Sequence, residues 1–186
     1  MVFYSLIFTI LIIIGSQISI DVPMSPVPIV LANFFTLLSG LLLGKKWGTI
    51  SVAAYLLLGA IGFPVFAGST GGLEILFGKT GGYLFAYLLS TFLVGMISTY
   101  GKHSWKKDIF ALIVGVSTLF LVGLPWLKIS LGLSWTDTIS IGCTPYLLGA
   151  AIKATLAFAI AQIPLLRRCS LDAVHRNYQM INNSYG

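Results

Sequence analysis

Gly78-Lys79-Thr80-Gly81-Gly82-Tyr83 opens a long apolar run that continues to Gly101. Glycine permits close backbone approach, and irregular polar backbone near a bilayer persists only where protein surrounds it. A polar, glycine-dense entrance to a hydrophobic helix therefore points to a ligand pocket. Gly81, Tyr83 and Tyr87 are its first candidates, the two tyrosines lying one helical turn apart on one face.

Working outward, 57% of the 186 residues are hydrophobic and only 9% are charged, with a mean hydropathy of +0.96. One soluble core cannot hide that much apolar surface, so the solvent is lipid. A span needs about 20 apolar residues to cross roughly 30 Å of hydrocarbon. Six stretches approach this: 2–20, 29–44, 48–66, 81–101, 108–128 and 143–166. The expected fold is an all-α membrane protein, a six transmembrane helix bundle with ordered outer loops, built as a single integral membrane domain. Residues 169–186 read as a cytoplasmic tail. The first stretch has neither a basic start nor a small-residue cleavage site before the proline turn, which favours a retained span over a signal peptide.

The eleven basic residues give an orientation, because loops left inside the cell carry more Lys and Arg. Lys45, Lys46, Lys102, Lys106, Lys107, Arg167, Arg168 and Arg176 fall on one side, Lys79 and Lys128 on the other, and Lys153 within a span. Both termini are expected in the cytoplasm of a multi-pass plasma or inner membrane protein. The net charge of +6 then reports topology and attraction to anionic membrane lipid. No arginine-aromatic interleaving points to nucleic acid.

Catalytic groups are hard to assemble. The two histidines, His103 and His175, flank helices without a partner, and Cys143 and Cys169 stand alone, so neither a metal nor a cofactor is expected. Gly78-Lys79-Thr80 resembles the end of a phosphate loop, yet Leu73 stands where that motif needs glycine. An enzyme using Lys153 and Tyr146 as acid and base lacks an activating group. The chain reads as a non-enzyme.

Two outer loops carry their own order: Asp21 to Pro28, rich in proline, and Ala67 to Thr80, rich in glycine and containing Glu74. Proline fixes φ and glycine allows tight approach, so each suits a short cap over the mouth of a bundle, although a connector set by packing alone reads the same way. Lys153 is the sharpest single residue. An ammonium inside a span costs from about 2.5 kcal/mol to insert and so faces a cavity, a partner or a charged ligand, unless its stem snorkels outward. Tyr146, seven residues earlier on the same helical face, and Asn33, just inside the second stretch, complete the candidate pocket. Ser5 and Thr9 have the small-residue spacing that lets a partner helix approach in lipid.

Several blocks occur in one order: Pro26-Val27-Pro28-Ile29, Leu41-Leu42-Leu43-Gly44, Tyr55-Leu56-Leu57-Leu58-Gly59, Gly62-Phe63-Pro64-Val65-Phe66-Ala67-Gly68, Thr80-Gly81-Gly82-Tyr83, Gly123-Leu124-Pro125-Trp126-Leu127 and Pro145-Tyr146-Leu147-Leu148-Gly149 with Lys153 following. In this order they resemble the BioY family from about Ser16 to Ile163. The resemblance implies the substrate-capture (S) subunit of an energy-coupling-factor vitamin transporter. Such a subunit binds biotin from outside, while an inner-membrane coupling protein and two ATPase subunits supply the energy. It also implies that an alanine pair in the first helix meets the coupling protein, where Ser5 and Thr9 stand here. The competing reading is a stand-alone facilitator or channel for biotin or another small anionic solute, with Lys153 selecting anions.

Three departures from the family pattern bear on the site. Ala150 replaces the usual aspartate three positions before the lysine, Val30-Leu31-Ala32 replaces Thr-Leu-Gln and leaves Asn33 as the nearest amide, and Lys79 replaces a proline. Lys153 therefore takes a substitute partner, either Glu74 from the outer loop or the ligand carboxylate. With Glu74, biotin amides still bind; with the carboxylate, they fail.

Overall fold

The computed structural model describes residues 1–23, 25–100 and 104–163. The proposed tail 169–186, the end of the last stretch, Lys102, Arg167, Arg168 and Arg176, both histidines and Cys169 lie outside the described residues.

Apolar sequence without proline forms helix α1 over Val2–Gln17. The chain then reverses through a proline loop closed by two short strands, β1 Ser19–Ile20 and β2 Ile29–Val30, paired antiparallel with Ser19 opposite Val30. This strand pair departs from the all-helix expectation and claims the first two residues of the stretch 29–44. Helix α2, Ala32–Ala60, follows and is broken at Gly44, whose φ of 74° and ψ of −178° suit glycine alone. A Cβ on Gly48 would lie 2.8 Å from the Ser39 carbonyl oxygen. Residues that far apart in a continuous helix are separated by more than about 12 Å along its axis. The chain therefore turns back at Gly44, and the two halves of α2 form a tight hairpin.

Gly62, with φ 100°, and Pro64 stop α2 short of the expected Phe66. A 3-10 turn at Ala67–Ser69 and a one-turn helix α3, Leu73–Leu76, lead into α4, Gly81–Thr99. Helix α5 runs Trp105–Leu131 and ends on Gly132, which has φ 65° and lets the Leu133 N–H close back on Lys128. A short helix α6, Trp135–Gly142, and then α7, Thr144–Ala161, complete the described chain.

Seven α-helices occur among the described residues, and α2, α4, α5 and α7 are long and apolar enough to cross a membrane. The six-helix expectation differs for three reasons. The stretches 29–44 and 48–66 become the two arms of one hairpin, α2, 2–17 is shorter than a full span, and α3 and α6 add short helices.

Helix α4 is central, packing on both α2 and α5. Towards the Gly44 hairpin the core is built from Phe8, Leu37, Leu41, Val94 and Leu112. Towards the loops it is built from Ile12, Val52, Tyr55, Phe66, Leu84, Tyr87 and Leu119. Buried hydroxyls tie the helices where lipid supplies no water. Thr91 donates to the Thr36 carbonyl at 3.1 Å, and Ser90 to the Gly115 carbonyl at 2.9 Å. At the hairpin end Asp108, fully buried, accepts from Ser98 at 2.9 Å and from Gln162 at 3.0 Å, joining α4, α5 and the end of α7. Three connecting segments gather at the opposite end, and two cavities lie beneath them.

Candidate functional site

Two caps close the loop end. The first is the segment Ser25 to Val30. Pro26 and Pro28 stiffen it, and the Val27 N–H donates to Ser25 Oγ at 3.2 Å. Helix α7 then holds it from the side. Tyr146 donates its hydroxyl to the Val27 carbonyl, and Lys153 Nζ donates to the Val30 carbonyl at 2.6 Å and to Asn33 Oδ1 at 3.0 Å. Ser25 Oγ lies 2.7 Å from the Tyr146 hydroxyl and 2.8 Å from the Ile141 carbonyl, which fastens α6 to the same point.

The second cap, residues 61–72, is fastened by the end of α1. Ser16 donates to the Val65 carbonyl. Gln17 bridges the Phe66 carbonyl at 3.1 Å and the Ser69 N–H, also at 3.1 Å.

Between the caps lies a cavity of about 230 Å³. Its walls are apolar at Val27, Val30, Phe66 and Leu84, and the hydroxyl-bearing residues Ser16, Tyr55, Thr70, Thr80 and Tyr83 also line it. Beside it a smaller chamber of about 50 Å³ is lined by Asn33, Tyr146, Ala150 and Lys153. Val27, Pro28, Val30, Tyr83 and Tyr87 line both spaces and form the partition between them.

The structure brings Lys153, Tyr146, Asn33, Tyr83 and Tyr87 together around these two spaces. Lys153 faces the chamber instead of snorkelling to a headgroup, and its neighbours are an amide and a carbonyl. Tyr83 turns its hydroxyl to the Gly142 carbonyl at 2.8 Å, while its ring lies on Gly123. Tyr87 is buried.

Gly81 lines neither space. A Cβ there would come within 2.0 Å of the Leu76 carbonyl oxygen, so the residue serves the turn. Glu74 is exposed on α3 and lines neither space, and the expectation that it neutralises Lys153 is corrected by the bonds to Asn33 and Val30. Ser5 and Thr9 also sit away from their expected surface. Both are buried: Ser5 Oγ lies 2.9 Å from Ser51 Oγ, and Thr9 donates to the Ser51 carbonyl at 3.1 Å, inside the seam between α1 and α2.

Sequence reasoning missed Ser16, Tyr55, Thr70 and Thr80 as wall residues. Tyr55 carried a signal, since a tyrosine in an otherwise aliphatic run needs a polar outlet for its hydroxyl. Helix α6 was also missed, although Ser134 accepting from the Asp137 N–H at 3.1 Å is an ordinary helix start.

This chain is similar to known proteins. A curated relative from Thermotoga maritima, named biotin transporter BioY, is 41% identical over 155 residues, covering 83% of this chain and 89% of that protein. A second, from Pyrococcus horikoshii and named probable biotin transporter BioY, is 37% identical over 149 residues, covering 80% and 86%. A crystal structure described as the S-component for biotin from an ECF-type ABC transporter superposes with a TM-score of 0.78. It is 36% identical and covers 90% of this chain and 88% of its own. The model of the BioY family matches residues 1–169, and this chain belongs to the BioY family.

Proposed function

We propose that this chain is the biotin-binding S component of an energy-coupling-factor transporter. It captures biotin from outside the cell and delivers it for uptake driven by ATP hydrolysis in partner subunits, a membrane coupling protein and two ATPases. The observation that carries this reading is the walled space beneath two fastened caps, in a chain whose relatives are named for biotin transport.

Six crossings fit this role within a single membrane domain: α1, the two halves of α2, α4, α5 and α7. The caps then lie outside. The turn at Lys45 and Lys46 and the start of α5 with Lys106 and Lys107 lie inside, and both termini are cytoplasmic. Lipid surrounds the outer faces.

The chemistry of the walls suits the ligand. Biotin has a polar ureido ring, an apolar chain and a carboxylate. An ammonium has three N–H donors. Two of those on Lys153 are taken by Val30 and Asn33, so one remains for a ligand acceptor, beside the amide N–H groups of Asn33. The ureido carbonyl is such an acceptor. The aliphatic wall of the larger cavity suits the chain.

Equilibrium binding of radiolabelled biotin to the purified protein in detergent, with riboflavin and thiamine as competitors, tests the reading. Saturable binding displaced by biotin alone is expected, and its absence overturns the proposal. Biotin uptake by vesicles holding this chain without ATP or partner subunits would establish the stand-alone facilitator instead.

A further inference from the structure

Lys79 is the one charged side chain on the wall of the larger cavity, and neither cavity is lined by Asp or Glu. The other lysine of the region, Lys153, lines only the smaller chamber, and its amine already sits on two protein acceptors. Lys79 has no hydrogen bond or ion pair among the described residues.

The turn that carries Lys79 is firmly placed. The Trp126 indole N–H donates to the Gly78 carbonyl at 2.8 Å, the Gly78 N–H reaches Ile75 at 3.2 Å, and the Gly81 N–H returns to Gly78 at 3.0 Å. An exposed lysine on a fixed turn, lining an acid-free cavity with no partner among the described residues, favours an anionic group on the ligand there.

We propose that Lys79 determines specificity for the charged end of the ligand: the carboxylate is read at the outer rim by Lys79, and Lys153 serves the opposite, neutral end. This rests on the biotin reading above. It divides the two lysines by task. Lys79 separates biotin from uncharged analogues, and Lys153 with Asn33 holds the first cap and the ring for either kind of ligand.

The test compares biotin with its neutral amide, using full-length protein in detergent at low and high salt. The wild type, Lys79→Gln, Lys79→Glu and Lys153→Gln are measured, and melting temperature is followed for each. The wild type is expected to prefer biotin over the amide by about three- to tenfold, and high salt should shrink that preference. Lys79→Gln erases the preference without lowering the melting temperature, and Lys79→Glu reverses it. Lys153→Gln weakens both ligands by the same factor.

A preference that survives Lys79→Gln, or that disappears in Lys153→Gln, overturns the assignment. A wild type that binds neither compound overturns the biotin reading itself, and this assignment with it.

Discussion

Lys153 and Asn33, on helices far apart in sequence, meet at 3.0 Å where the first cap joins α2. The same ammonium holds the Val30 carbonyl, and Tyr146 on the same face of α7 holds Val27. A helix that is otherwise thinly packed thus fixes a wall of both cavities through two side chains.

Removing this grip weakens binding. Lys153→Ala is expected to lower biotin affinity tenfold or more, about 1.4 kcal/mol. Tyr146→Phe, which loses the bond to the Val27 carbonyl and the contact with Ser25, lowers it less, by about 1 kcal/mol. Because both act on one segment, the double variant should fall short of the summed losses. Equilibrium binding of all three variants checks this, and full additivity would speak for two independent contacts.

Much of this was legible and some was not. The apolar stretches, with Lys45 and Lys46 between two of them, pointed to helices and a connection, and Lys153 announced itself by the cost of burying an amine. Its partner did not, because a pairing across 120 positions depends on how α7 leans on α2. The departure at Ala150 removed the local acid and drew attention to Glu74, whereas a neutral amide already beside the helix entry does the work. Ser5 and Thr9 illustrate the same limit. Spacing shows that two residues share a face, but not which neighbour that face meets.

Gly82 and Gly149 should respond oppositely to alanine. A Cβ on Gly82 would lie 2.3 Å from Trp126 Cβ, while one on Gly149 would meet nothing within 4 Å. Gly82→Ala is expected to cost about 1 to 3 kcal/mol through overpacking. Gly149→Ala is expected to be neutral or mildly stabilising. Thermal melting of both in the same detergent decides it, and equal midpoints would refute the close approach of α4 to α5.

The hydroxyl seam between α1 and α2 predicts a stability effect. Ser5→Ala removes the contact with Ser51 and is expected to destabilise the chain by about 0.6 kcal/mol, near the average for such bonds in membranes. If Ser5 instead faced a partner subunit, the variant would melt like the wild type and assemble poorly. Melting and co-purification with the coupling protein separate the two.

Asp108 gives a control at the far end. Asp108→Ala leaves Ser98 and Gln162 without this acceptor and is expected to cost at least about 1 to 3 kcal/mol. Biotin affinity should stay within about twofold, because the residue lines neither cavity. A large loss of affinity at unchanged melting temperature would tie the two ends of the bundle together.

With Ser5, Thr9 and Ser16 turned inward, α1 shows its surroundings Phe3, Leu6, Ile10 and Ile14, all exposed hydrocarbon. A neighbour meeting this flank, lipid or helix, is held by packing alone, because the exposed side chains there offer no hydrogen-bonding partner.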